Sequence, residues 1–431
     1  MNKVFFAFLC LIQGTSLFGQ EPMLVHPEQI SGYFREIENA TKKGFTLWNK
    51  DLYGSILLVD PKTRYIYSNE PDPDNIFKLQ NNIYTGKLPD NMNIANTSIQ
   101  WNGKSWAMIM LPLPEDHYDR INLLAHELFH KTQPSLGFVH SNKESNHLDR
   151  KEGRIYLRME LEALKKAVLS DSEKEQKKHL TNAFIFRKYR NSLFPESAAI
   201  ENQLEMNEGI AEYTGFMISG RNQEQAKKHF ITSIDTFYSN PTYIRSFAYY
   251  TIPVYGYLLS VKNKLWNQKI STNTSISDFF IKNFEISIPT DLKSASKKNA
   301  HHYNGVIIAT EEQARENKIK EQIAEYQTRF IEQPHLEIKF EKMNVSFDPR
   351  NILAIEGQGT VYPTIRVTDN WGILEVGNGA LMSPDWSKIS VSIPTKTEEQ
   401  RAEGNGWVLQ LKDSYIIKED KKTGNYGIFK K

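Results

Sequence analysis

Two histidines four positions apart, His126 and His130, stand in the stretch "NLLAHELFHKTQP", with Glu127 directly after the first. On a helix, side chains at positions i and i+4 lie one above the other, so both imidazoles would face one point, as in a two-histidine zinc site. Glu127 would lie about 100° round the helix, where its carboxylate could act as a general base on a metal-bound water. This spacing indicates metal-assisted hydrolysis.

The short motif alone leaves a second interpretation open. The chain contains 11 histidines, so a chance match is expected at roughly the few-per-cent level. An ordinary exposed helix with two surface histidines would give the same pattern. The choice therefore depends on whether the chain offers a further ligand.

A series of carboxylates in "ENQLEMNEGIAEY" could supply that ligand. They recur at helical spacing and are Glu201, Glu205, Glu208 and Glu212. Like charges on one helix face destabilise the helix by roughly 0.2–0.5 kcal/mol per pair, and a cation opposite them would remove that cost. Zinc held by two histidines and one carboxylate is the economical candidate. The alternatives are a solvated acidic face or arginine partners such as Arg154 or Arg158.

Together, "HELFH" and "NEGIAEY" resemble the gluzincin metallopeptidases, the group that includes thermolysin-like and aminopeptidase-N-like enzymes. The resemblance implies that His126, His130 and Glu208 are zinc ligands and that Glu127 is the catalytic base. It also implies that Glu212, four residues after the third ligand, orients a zinc-bound histidine and fixes its tautomer.

The resemblance covers roughly residues 100 to 260, and the chain departs from the family pattern within it. Residues 131 to 207 form a longer gap than aminopeptidase-like members have. No GxMEN stretch, which reads the free amino terminus in aminopeptidases, precedes the motif, so endopeptidase action is the default expectation. Gln133 and Leu136 replace the glycine and third histidine of metzincins, which excludes that family.

Gly209 would let the two motif helices approach closely.

Hydrolysis at such a site also needs a hydrogen-bond donor for the developing oxyanion. The stretch "SFAYYTIPVYGY" offers Tyr249, Tyr250, Tyr255 and Tyr257. Tyr250 is the preferred candidate, although aromatic residues at helical spacing are commonly core residues. His147, Asp149 and Arg154 could line a substrate cleft, with a solvated loop and helix cap as the alternative.

The periodicity of apolar residues predicts an α+β fold. A metallopeptidase core, with a small antiparallel sheet and a mainly helical part, would be followed by an all-β domain. Asp116 is a plausible N-cap of the HELFH helix, and Thr310 with Gln313 is set as a capping box. In "LEIKFEKMNVSF" a one-residue slip in the alternation suggests a β-bulge. The predicted segments are a signal peptide (1–19), an N-terminal α/β part (20–115), a helical part with the zinc site (116–309), a linking helix (310–333) and a β-sandwich-like domain (334–431).

The amino terminus has the layout of a secretory signal peptide, because Lys3 precedes an apolar run from residue 4 to residue 12. An exported protein, periplasmic or secreted, is therefore expected, with an uncleaved interfacial anchor as the alternative. The run is shorter than the roughly 20 residues that span a bilayer, so no membrane span is expected. Cys10, the only cysteine, lies in this run, and the mature chain would have no disulfide and no thiolate site.

Composition narrows the possible partners. The 53 basic and 51 acidic residues leave a net charge of +2, which gives no reason to expect nucleic acid as a partner. We expect an exported zinc metallopeptidase with a protein or peptide substrate, whose C-terminal domain could bind a partner or a glycan. The alternatives are a zinc-dependent hydrolase of a non-peptide amide or ester, and an inactive binding or scaffold protein that retains the fold.

Overall fold

A computed structural model describes residues 26–89, 92–138, 145–347 and 352–431. The protein is α+β, with helices in its N-terminal and central parts and mainly strands in its C-terminal part. It forms two compact units: one comprises Met1–Leu136 and Thr214–Gly220, the other Gly137–Tyr213 and Arg221–Lys431. The predicted signal peptide lies outside the described residues. Among the helices in the described ranges, none is both long and apolar enough to cross a membrane.

The first unit contains a sheet with strand order β3-β4-β2-β1-β6-β5. Its strands are β1 Ile56–Val59, β2 Tyr65–Ser68, β3 Lys78–Gln80, β4 Ile83–Lys87, β5 Thr97–Trp101 and β6 Lys104–Met110. Strands β1 and β2 form an antiparallel hairpin around a turn that contains Pro61 and Lys62. The sheet is antiparallel except at the β1–β6 pair, which is parallel. The expected antiparallel sheet is thus mixed, because β2 to β5 bring the chain back beside β1 in the same direction.

Two helices complete this part of the chain, α1 Pro27–Lys43 and α2 His117–Thr132. The predicted N-cap of α2 is confirmed, since the Asp116 carboxylate accepts a hydrogen bond from the Asp119 amide at 2.9 Å. The apolar stripe of Ile121, Leu124 and Leu128 is buried, and α2 packs against β5 and β6. Burial of this stripe fixes which face of α2 carries the histidines.

Helices dominate the following segment. They are α3 Lys151–Leu169, α4 Glu173–Leu193, α5 Ser197–Leu204, α6 Ile210–Ile218, α7 Gln223–Phe237, α8 Ala248–Ser260, α9 Ile276–Asn283, α10 Leu292–Asn299 and α11 Gly305–Gln327. A single π-helical turn, Glu205–Gly209, joins α5 to α6 without a break, and we call it the π turn. Helices α3 and α4 pack along each other and form a hairpin.

The linking helix α11 begins earlier than its sequence pattern predicts. Thr310 lies inside the helix, where its hydroxyl donates to the Val306 carbonyl at 2.9 Å. The capping-box prediction for Thr310 and Gln313 is therefore wrong, because the helix begins at Gly305, directly after Asn304. A second π-helical turn, Thr328–Glu332, ends the segment.

The C-terminal part consists of two sheets that share an apolar core. Their strands are β7 His335–Lys339, β8 Asn344–Phe347, β9 Leu353–Ile355, β10 Gly359–Tyr362, β11 Ile365–Asp369, β12 Gly372–Val376, β13 Ala380–Met382, β14 Lys388–Ser392, β15 Pro394–Thr397, β16 Arg401–Gly404, β17 Trp407–Leu411, β18 Tyr415–Glu419 and β19 Tyr426–Lys430. The sheet orders are β18-β19-β7-β14-β13-β10-β9 and β15-β16-β17-β12-β11-β8. The predicted bulge is wrong, because β7 and β8 are separate strands that pair in different sheets.

Candidate metal centre

His126, His130 and Glu208 converge on one point. Each offers one ligand atom, and these atoms all lie within 4.8 Å of one another. The Nε2 atoms of the two histidines are 2.9 Å apart. Two ligands of one tetrahedral zinc ion, with bonds of about 2.0–2.1 Å, are separated by about 3.3 Å. The spacing is close to what one metal ion requires, so this group could hold a metal ion.

Helix α2 is held in place by a close contact with α6. A Cβ atom at Gly215 would lie 2.4 Å from the backbone oxygen of Asn122, so a side chain larger than glycine would push the two helices apart. The indole of Trp48 packs on Phe129 of α2, with ring centroids 5.0 Å apart, and donates to the Thr214 hydroxyl at 3.0 Å. The glycine that permits this helix approach is therefore Gly215.

Gly209, which the sequence suggested for that approach, contacts a different helix. A Cβ atom there would lie 2.6 Å from Cγ1 of Ile252 and 3.2 Å from the carbonyl oxygen of Ala248, both in α8. The π turn thus lies directly on α8. The identity of the contacting helix depends on the fold and could not be read from the glycine itself.

Gln133 orients one of the paired histidines. Its side chain is fully buried, and its Oε1 atom lies 2.8 Å from Nδ1 of His130. A proton on Nδ1 would be donated to this amide oxygen, which leaves the Nε2 lone pair directed at the cluster. Sequence reasoning missed this role, although the spacing of three residues between His130 and Gln133, which directly follows α2, was a signal for it.

Glu208 lies in the π turn and is oriented through both carboxylate oxygens. The Asn207 amide donates to Oε1 at 2.9 Å, and the Tyr249 hydroxyl donates to Oε2 at 2.5 Å. Single π-helical turns occur frequently at functional sites. This turn was not predicted, because helical periodicity does not reveal one added residue within a helix.

The other two carboxylates before Glu208 do not face a cation site. Arg190 donates to Glu201 at 2.9 and 2.7 Å, and Arg187 donates to Glu205 at 2.8 and 2.7 Å. The interpretation with arginine partners is therefore correct for these two, but with other arginines than expected. Both arginines suggested from the sequence bind Glu312 of α11 instead.

The pKa values of the two buried carboxylates Glu201 and Glu205 shift in opposite directions. Burial alone would raise the pKa of Glu201, but the charge of Arg190 and hydrogen bonds from Arg190 and His147 hold it far below its usual range. Burial raises the pKa of Glu205 despite the opposing charge of Arg187. Burial alone would lower the pKa of Arg187, but the charges of Glu160 and Glu205 keep it well above its ordinary value.

The polar residues expected to line a cleft are instead held in internal contacts. His147 is buried, and its Nε2 lies 2.7 Å from the Glu201 carboxylate. Asp149 accepts a hydrogen bond from the Tyr243 amide at 2.9 Å, and Arg154 is 3% exposed. Neither the substrate cleft nor the solvated loop describes His147 and Arg154, because folding buries both beside carboxylates, whereas Asp149 is partly exposed.

The four candidate tyrosines of α8 have different surroundings. Tyr249 contacts Glu208 as described, whereas the ring of Tyr250 stacks on Phe237 with centroids 4.3 Å apart. Burial, and then the charge of Glu212, raise the pKa of Tyr250. Tyr255 is buried and donates to Glu160, and Tyr257 packs on Phe230. Among these four, Tyr249 has an observed hydrogen bond to a residue of the candidate metal site.

Comparisons of this chain with protein-family models, with curated proteins and with solved structures find no match. The function therefore has to be argued from the chemistry of the cluster and its surroundings.

Proposed function

We propose that the protein is a zinc-dependent metallopeptidase of the gluzincin type, with His126, His130 and Glu208 as the metal ligands. The observation that carries the proposal is the convergence of these three ligand atoms within 4.8 Å, from segments distant in the chain. Two imidazoles and one carboxylate are a common ligand set of catalytic zinc. Three protein ligands leave a fourth position for water or substrate, which is typical of catalytic rather than structural sites.

The chain's own residues supply the proton transfers of the proposed reaction. A zinc ion bound here would act as a Lewis acid and lower the pKa of its water towards about 7. Glu127, which is 4% exposed, would accept a proton from the attacking water and deliver it to the leaving amine. Gln133 would keep His130 in the tautomer that binds metal through Nε2.

We assign the donor to the developing oxyanion to Tyr249 in preference to Tyr250. Tyr249 places its hydroxyl within one hydrogen bond of a proposed metal ligand, Glu208, and its single proton would turn from that carboxylate to the developing oxyanion. The ring of Tyr250 stacks on Phe237, and no hydrogen bond of Tyr250 to a proposed metal ligand is observed among the described residues. The role that the resemblance gives to Glu212, orienting a zinc-bound histidine, stays a prediction.

Peptide bonds are the proposed substrate, with endopeptidase action as the default, because no GxMEN stretch precedes the motif. The signal-peptide layout of residues 1–19 supports an exported enzyme. Binding of a partner or a glycan by the C-terminal β part stays a prediction.

Metal analysis with four variants tests the proposal. Wild-type protein should contain about one zinc per chain and hydrolyse peptides in a chelator-sensitive reaction, and His126→Ala and Glu208→Ala should lose the metal. Glu127→Ala should keep the metal and lose about 10²–10⁴-fold in kcat, the usual contribution of a general base. His302→Ala is the control, because this exposed histidine lies outside the cluster.

Two results would contradict the proposal: a Glu208→Ala protein that retains full zinc content, or a Glu127→Ala protein as active as the wild type. Parallel assays with peptide libraries and with acyl esters and non-peptide amides would separate a peptidase from a hydrolase of other substrates. Bound zinc without hydrolysis in any of these assays would favour an inactive binding protein.

A further inference from the structure

A buried network of charges lies beside the π turn. Its members are each at most 2% exposed and are Glu160, Arg187, Arg190, Glu201 and Glu205. Arg187 donates from Nε to Glu160 at 2.7 Å and from both terminal nitrogens to Glu205. Arg190 donates to the second oxygen of Glu160 at 2.8 Å and to Glu201. The network thus joins α3 and α4 to α5 and to the first residue of the π turn.

Hydroxyl groups complete the network. Thr251 of α8 donates to Oε1 of Glu205 at 2.9 Å, and Tyr255 donates to Glu160 at 2.9 Å. Buried charges are costly unless they are paired and hydrogen-bonded, and a buried ion pair often gives little net stability compared with apolar packing. A network of this kind is therefore better explained by the single geometry that it imposes than by a gain in stability.

That geometry includes the backbone that carries Glu208. Glu205 and Glu208 are three residues apart in the π turn, and each binds a hydroxyl of α8, Thr251 and Tyr249 respectively. The π turn contains one residue more than a regular α-helical turn. If it became regular α-helix, the helix before it and the helix after it would rotate relative to each other by about 100°. Glu208 would then point away from its present position.

We propose that the α3–α4 hairpin positions the metal-binding carboxylate, with Arg187 holding Glu205 and thereby maintaining the π turn that presents Glu208. This inference rests on the proposed metal site. The hairpin lies between the second histidine and Glu208 in the sequence, so the long gap that separates the two motifs contains the support for the third ligand. Arg187 and Glu205 are positioning residues, since they act on the metal through Glu208.

The test compares Glu205→Gln with Glu312→Gln. Both substitutions remove the charge of a buried carboxylate that binds arginine, but the hydrogen bonds of Glu312 are to Arg154 and Arg158 of α3 rather than to the π turn. The readouts are the zinc dissociation constant, from competition with a chelator, and the absorption spectrum of the Co²⁺-substituted full chain. Glu205→Gln should weaken zinc binding by about tenfold or more, as expected for loss of support to a ligand. Glu312→Gln should change it by less than about twofold.

A milder variant keeps the test decisive if Glu205→Gln does not fold. Thr251→Val removes one hydrogen bond to Glu205 at nearly constant volume and should weaken zinc binding by about two- to tenfold, the equivalent of that bond. Equal zinc affinity in the wild type and in both π-turn variants would overturn the positioning role while leaving the metal site intact. Wild-type protein that binds no zinc would overturn the proposed function itself.

Discussion

Single residues orient the proposed ligands through hydrogen bonds. Gln133 fixes the ring of His130, and Tyr249 and Asn207 fix the carboxylate of Glu208. Such supporting residues commonly change metal affinity by about 10–100-fold when they are replaced. The arrangement of His130 and Glu208 therefore depends on side chains beyond the motif itself.

The neighbouring tyrosines of α8 give a prediction at this scale. Tyr249→Phe removes the hydroxyl at Glu208, and loss of this proposed oxyanion donor should lower kcat by about 10²–10³-fold. Tyr250→Phe is the matched control, one residue away and stacked on Phe237, and should keep kcat within about twofold. Steady-state kinetics with zinc content measured on the same samples checks both. A large loss in Tyr250→Phe with normal Tyr249→Phe activity would reverse the assignment.

The proposed ligands could be indicated from the sequence because each of them lies in a short local pattern. His126 and His130 are related by one helical turn, and Glu208 stands in a recognisable stretch. The choice between Tyr249 and Tyr250 could not be made in this way. Adjacent helical residues differ by about 100° in direction, and the orientation of α8 is set by packing of residues far apart in the chain.

At the scale of elements, the π turn depends on its contact with α8. Gly209→Ala would place a methyl group 2.6 Å from the Ile252 side chain, so the turn or α8 must shift. Overpacking of this kind costs about 1–3 kcal/mol, and we expect the free energy of unfolding to fall by that amount. Urea denaturation measures it.

Gly32→Ala in α1 is the control for this substitution. A Cβ atom there meets nothing within 4 Å, and alanine is favoured over glycine within a helix by about 0.5–1 kcal/mol. This variant should therefore be more stable than the wild type. Gly209→Ala protein as stable as the wild type would show that the π turn is not tightly packed on α8.

Elements with a local signal could be predicted from the sequence, and those set by long-range pairing could not. Helix α2 follows from its apolar stripe and its cap at Asp116. The sequence pattern favours one bulged strand where the structure has β7 and β8, because a break in alternation does not distinguish a bulge from a crossing between sheets. The parallel β1–β6 pair likewise depends on strand order.

For the whole molecule, the α+β class with a C-terminal β part follows from the change of apolar period along the chain. The buried charge network could not be predicted, because its members come from separate helices and each alone has the spacing of an ordinary surface charge. This network makes the stability of the protein depend on ionisation of Glu201, whose pKa is lowered far below its usual range.

The sign of that dependence follows from linkage. A carboxyl group with a lowered pKa in the folded state stabilises the fold fully above its unfolded pKa of about 4.3, and this stabilisation is lost as the pH falls towards the folded value. The free energy of unfolding should therefore decrease below about pH 4.3. Glu201→Gln should show a shallower decrease, and at pH 7 should be less stable by about 3–5 kcal/mol, because Arg190 loses a buried partner.

Urea denaturation between about pH 2.5 and 7, with chelator present so that release of bound metal in acid does not contribute, measures this effect. Glu173→Gln is the control: its carboxylate pairs with Lys262 at the surface, where solvent screens the pair and its loss changes stability little. We expect this variant to follow the wild-type pH curve. The difference between the pH dependence of the free energy of unfolding in the wild type and in Glu201→Gln isolates the contribution of the Glu201 carboxyl group. If the two curves are parallel in acid, the Glu201–Arg190 pair does not link protonation to folding.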